Sequence, residues 1–139
     1  MEARLVLWLK LVSTGHITGG LLLPFLMLTG LGESYVAQLH QVFWGGSPET
    51  MEAAAFISWI VALFGPTVSA WGVLMFYLVC AGERRSELWP WTALMLSVLA
   101  WAPLDIGISL LVPFWPHVYL DVFMVGVIVM PAWLLRRKV

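Results

Sequence analysis

A chain of 139 residues that is 61% hydrophobic, 11% charged and of formal charge -1 is not a soluble domain, in which about a quarter of residues are charged. Its mean hydropathy is +0.92, and four apolar segments near the ~20 residues needed to cross a hydrocarbon core fill almost all of it. The single cysteine, Cys80, excludes an intrachain disulfide and any cysteine-cluster metal site.

These bounds predict an all-α integral membrane protein forming one membrane domain over residues 1–139. The expected fold is an antiparallel four-transmembrane-helix bundle, with spans at about 5–28, 54–81, 89–112 and 118–135 and a short interfacial helix between the first two. The first span is too long for the apolar region of a signal peptide, and no small-residue cleavage site follows it, so it is read as a retained helix. Ser13, His16 and Gly20 share one of its faces. Gly15 and Gly19 form a G-x-x-x-G that lets another helix approach closely. Pro24 marks a kink or fraying of the outer turn.

In the connection 33–46, Val36, Leu39 and Phe43 fall at helical spacing among polar Ser34, Gln38 and Gln41, as in a helix lying at the interface. Gly45 and Gly46 end it. Ser47, Pro48 and Glu49 then suit an N-cap, a proline at the first helical position and a first-turn acid. In the second span Ala55, Ser58, Ala62, Gly65, Ser69 and Gly72 form a continuous small-residue seam. Such a seam permits backbone-close packing, within the bundle or in an oligomer, and makes this the expected central helix. Pro66 is expected to kink it.

The turn 82–87 leads to the third span, where Ser97, Trp101, Asp105 and Ser109 recur every four residues as a polar stripe. Pro103 and Gly107 bracket Asp105, so an irregular backbone is expected there. The bend 113–117 carries His117, and the fourth span opens near Asp121 and closes past Pro131. All seven basic residues lie near the N-terminus, in the second connection or at the C-terminus. The positive-inside rule therefore puts both termini on the cytoplasmic side. Of the nine tryptophans, Trp8, Trp89, Trp91 and Trp133 are assigned to the inner aromatic belt and Trp44 and Trp115 to the outer one. Trp59, Trp71 and Trp101 lie deeper and are the ones able to line a pocket. Cys80, near the inner end of its helix, is read as a packing residue.

Depth follows from the helical rise. Counting from Trp89, Asp105 stands ~24 Å above the inner boundary, roughly 6 Å below the outer one. Asp121 reaches the same level on the descending helix, with His117 just above and His16 near mid-membrane. A membrane carboxylate costs at least ~2.5 kcal/mol unless it faces a partner, a cavity or a ligand. Asp105, Asp121 and His16 are thus the candidate acid–base residues, and Trp101, Ser109, Ser97, Trp71, Trp59 and His117 the candidate ligand-binding ones. Structural roles compete with these: interhelical hydrogen bonding for Asp105 and His16, a wetted helix start for Asp121. Two histidines at different depths do not suit a bis-histidine haem, and no H-x-x-x-H or similar spacing points to a metal. No cofactor is expected. The basic ends are explained by topology, so no nucleic acid is expected as a partner.

The passages STGHI, FGPTVSAW, LDIGIS and IVMPAWLLRRK, on a four-span plan with a long first outer connection, resemble small bacterial membrane proteins of the DoxX-like and EXPERA (sterol-isomerase-like) kinds. The EXPERA resemblance implies a pocket for sterol-like amines or olefins, with Asp105 and Trp101 in the roles of its acids and aromatics. This chain lacks a second acid deep in the first two spans. Tryptophan-rich sensory proteins share the tryptophan content but have five spans.

The leading expectation is a four-helix protein of a bacterial inner membrane with an outward-biased polar pocket for a lipid-like or isoprenoid-like molecule. The second is an isomerase or cyclase, with Asp105 as acid, Asp121 or His16 as base and Trp101 stabilising positive charge. The third is an accessory subunit docking through the small-residue seam. Membrane lipids are partners in all three.

Overall fold

The structure, a computed structural model, describes residues 2–45, 50–85 and 87–138. Five helices account for nearly all of these: α1 (Glu2–Leu28), α2 (Glu33–Trp44), α3 (Met51–Arg85), α4 (Leu88–Leu111) and α5 (Trp115–Arg136). No strand occurs among the described residues. All but α2 are long and apolar enough to cross a membrane. The expected cap at Ser47, Pro48 and Glu49, and Gly46 and Ser86, lie outside the described residues. α3 is longer than its expected span, at 35 residues, and it stays helical through Pro66, as α4 does through Pro103 and beside Gly107.

Side-chain size sets how the helices pair. α1 and α3 make the most extensive contact, α4 and α5 the next. Along the first pair Lys10 Nζ meets Glu83 Oε2 at 2.6 Å, and Gly72 lies against His16 and Ile17. Further along, Gly65 lies against Gly20 and Pro24. The two helices therefore run in opposite directions. A Cβ on Gly65 would stand 2.5 Å from the Gly20 carbonyl oxygen, and one on Gly20 would stand 2.5 Å from the Gly65 carbonyl oxygen. Only glycine at both positions allows this approach. Beside them Ser69 Oγ donates to the Ile17 carbonyl at 2.9 Å.

The small-residue seam is thus seated at Gly65, Ser69 and Gly72, and its buried line continues through Met75, Val79 and Gly82 rather than back to Ala55, which is exposed. Gly15 and Gly19, expected to receive a neighbouring helix, face open space, with nothing within 4 Å of a Cβ built at either. The close approach on α1 uses Gly20 instead, because Gly20 shares the face of buried Leu9 and Ser13.

The core sits toward the end that carries the termini. Val6 and Leu9 of α1, Met75 and Val79 of α3, Trp91, Leu94 and Val98 of α4, and Ile128, Ala132 and Leu135 of α5 form one buried cluster. Trp91, assigned to the aromatic belt, belongs to this core: its ring lies against Gly82, where a Cβ would collide with it. At the opposite end burial thins out, with nothing buried in α1 beyond Gly20. There α2 lies across α3 and buries Val36 and His40. Phe43, expected on its apolar face, is exposed, and His40 takes that place, stacked on Trp44 at 5.3 Å. Gly45 ends α2 in the left-handed conformation (φ 59°), its N–H reaching the Gln41 carbonyl.

Candidate functional site

Opposite the core-rich end, three ionisable side chains from α4 and α5 converge. His117 and Asp121 stand four residues apart in the first turns of α5, so they share a face. Asp105 comes from α4, on the buried line of Leu94, Val98 and Ala102. Phe114 packs the corner between the two helices: it is buried, and its N–H donates to the Ser109 carbonyl at 3.1 Å. This turn sets α5 antiparallel to α4 and brings His117 over Asp105.

The His117 Nε2 atom lies 3.3 Å from Asp105 Oδ2 and 3.6 Å from Asp121 Oδ1. One ligand-type atom from each of the three lies within 4.8 Å of the others. The side chains of Asp105 and His117 are 28% and 32% exposed, whereas Asp121 is 1% exposed. Its Oδ2 atom is buried with no hydrogen-bond partner. A buried carboxylate oxygen left unpaired costs on the order of 1–3 kcal/mol, more if charged. Two ionised carboxylates this close repel each other by roughly 3–4 kcal/mol at the effective dielectric of a protein surface. A positive charge placed between them relieves both terms.

Tyr35 of α2 adjoins the cluster. Its ring meets Phe114 edge-on at 5.5 Å, and Phe114 meets His117 at 6.4 Å. Burial, then the Asp105 and Asp121 carboxylates, hold the Tyr35 hydroxyl above its ordinary pKa. The sequence places this helix on the outer side but does not single out Tyr35, because the spacing of a connection does not tell which of its residues will lie against the other helices.

The remaining expected site residues fall elsewhere. His16 is half-buried mid-helix, its Nδ1 2.8 Å from the Val12 carbonyl and its Cβ facing the Gly72 position, so it does not join the two aspartates. Ser97 spends its hydroxyl on the Ala93 and Leu94 carbonyls of its own helix. Trp101 and Trp59 are exposed, and Trp71 packs on the core cluster. None of the three lines either of the two clefts described below. Ser109 is half-buried one turn beyond Asp105. The expected polar stripe is therefore split: Asp105 and Ser109 lie on the inward line, Ser97 and Trp101 beside it. His117 and Asp121 carry a metal-compatible spacing that a search for paired histidines passes over.

Two open clefts lie at the opposite, basic end. One, of about 400 Å³, runs between Glu2, Glu83, Trp91 and Lys138; the buried Trp91 Nε1 has no partner there. The other, of about 490 Å³, is lined by Tyr77, Cys80, Arg84, Arg85 and Trp89. Neither is lined by Asp105, His117 or Asp121. Comparison of the chain with protein-family models, with curated proteins and with solved structures finds no match.

Proposed function

We propose that this chain is a multi-pass protein of the bacterial inner membrane, an antiparallel four-helix bundle with both termini in the cytoplasm. On this reading its outer end binds a positively charged ligand at Asp105, His117 and Asp121. The membrane assignment is supported by the uncovered apolar surface: at most 33% of any spanning window is buried within the chain. Lipid is the environment that makes such surface tolerable. The orientation rests on the sorting of basic residues. The observation that carries the site is the unpartnered Oδ2 of buried Asp121, beside a second carboxylate and an imidazole.

This narrows the lipid-like ligand expected from the sequence to one that presents positive charge. It also removes Trp101 and His16 from the acid–base scheme, and leaves Asp105 and His117 as the half-open groups a ligand meets first. The test is a melting screen of the full-length protein in lipid nanodiscs against a long-chain alkylammonium, a matched alkyl sulfate, magnesium and zinc. At least one cation should stabilise the wild type and lose its effect in Asp105→Asn, with the sulfate inert. Stabilisation by no cation, or equal stabilisation of Asp105→Asn, overturns the reading.

A second reading, an accessory subunit, is favoured by one observation. The Gly15–Gly19 face has open space where a partner helix would sit. It predicts that Gly15→Cys in a Cys80→Ser background cross-links to another polypeptide, and a chain that stays uncross-linked in its native membrane contradicts it.

A further inference from the structure

The separations within the cluster are more specific than its charge. A charge-assisted hydrogen bond between imidazole and carboxylate closes to about 2.7–2.9 Å. His117 Nε2 faces one oxygen of each aspartate at 3.3 and 3.6 Å instead. Around a tetrahedral zinc ion, with metal–nitrogen and metal–oxygen distances of about 2.0–2.2 Å, neighbouring ligand atoms stand roughly 3.3–3.6 Å apart. Two edges of the cluster already have that length. The third, between the aspartates, lies within 4.8 Å and shortens when the carboxylates turn toward a shared ion.

We propose that Asp105, His117 and Asp121 form a binding site for one divalent transition-metal ion of the zinc type. This rests on the cation reading of the same site and names the cation. Two carboxylates balance the double charge, and imidazole selects zinc-like ions over magnesium and calcium, which prefer all-oxygen shells. His117 and Asp121 are held four apart on one rigid helix, and Asp105 on a second, so little ordering is required on binding. Because Asp121 is buried while Asp105 and His117 are about a third exposed, the ion enters from the outer end. The three protein ligands leave a fourth position for water or an external oxygen or nitrogen ligand. The unpartnered Asp121 Oδ2 lies on the carboxylate whose other oxygen faces His117, so the buried aspartate has an oxygen available whichever way it turns.

The experiment uses chelator-stripped full-length protein in nanodiscs, titrated with zinc chloride by calorimetry and with cobalt(II) by visible absorption. Zinc should bind once per chain and raise the melting temperature reversibly, and cobalt should give the intense bands of a four-coordinate site. Asp105→Asn, His117→Ala and Asp121→Asn should each weaken zinc at least about tenfold, the scale of losing even an outer-shell group. His16→Ala, whose ring lies away from the cluster, should not. Circular dichroism establishes that each variant is folded; the half-exposed Asp105 and His117 supply the decision if Asp121→Asn is not. Zinc binding that survives Asp105→Asn and His117→Ala overturns the site. Absence of zinc binding alongside Asp105-dependent alkylammonium binding overturns the metal and leaves the cation reading standing. Absence of both overturns the two together.

Discussion

Replacing Gly65 by alanine tests the packing of α1 against α3. The added Cβ would lie 2.5 Å from the Gly20 carbonyl oxygen and 2.6 Å from Pro24 Cδ, where ordinary contact begins at 3.4 Å. α1 and α3 must therefore part locally by about 1 Å, and neither the backbone oxygen nor the proline ring can swing aside. Overpacking of this kind costs about 1–3 kcal/mol. Parting the helices also stretches the Ser69–Ile17 hydrogen bond, worth about 0.6 kcal/mol between membrane helices. Alanine's helix propensity returns up to about 1 kcal/mol, so the net loss is roughly 1–3 kcal/mol. At Gly15 and Gly19 the same substitution meets nothing within 4 Å and retains only the propensity gain, so it should be neutral or stabilising. Reversible unfolding in mixed detergent micelles measures all three. Equal effects at Gly65 and Gly15 would mean that the α1–α3 contact does not run through Gly20 and Gly65.

Ser69→Ala should cost about 0.6 kcal/mol in the same assay, and a loss above about 2 kcal/mol would show that its hydroxyl does more than bridge to Ile17. In a Cys80→Ser background, Arg137→Cys should react with a membrane-impermeant thiol reagent only from the cytoplasm and Thr50→Cys only from outside; external labelling of Arg137→Cys would invert the topology. Tyr35 should ionise above the ordinary tyrosine value of 10.0. Its proton is held more tightly in the folded state, so the stability it contributes is whole below about pH 10 and is lost as pH rises through the raised value. A tyrosinate absorbance titration that Tyr35→Phe leaves unchanged at its alkaline end would contradict this.

The long helices are legible in the sequence because apolar length is a property of contiguous residues. Chain connectivity also makes α4 and α5 neighbours, which is why Asp105 and Asp121 can be placed at one depth. What sequence does not give is the azimuth of each helix. Trp91 and Trp89 are adjacent in the chain and equally suited to a headgroup belt, yet one is buried against Gly82 and the other is exposed. The every-fourth spacing of Ser97, Trp101, Asp105 and Ser109 drifts round a helix of 3.6 residues per turn. One straight face cannot hold all four, and the inward line takes Leu94, Val98, Ala102 and Asp105 instead. The neighbouring Gly19 and Gly20 differ mainly in azimuth as well, and α3 selects Gly20. Tyr35 and His40 escape notice for another reason: the direction in which a short helix lies across its neighbours is set by tertiary contact, not by its own periodicity.

The most direct test of the outer-end site is anomalous diffraction from crystals of the full-length protein grown with zinc. One peak is expected within about 2.2 Å of an Asp105 oxygen, His117 Nε2 and an Asp121 oxygen. Asp105 and Asp121 turned away from each other, with Asp105 directed into lipid and no cation between them, would contradict it.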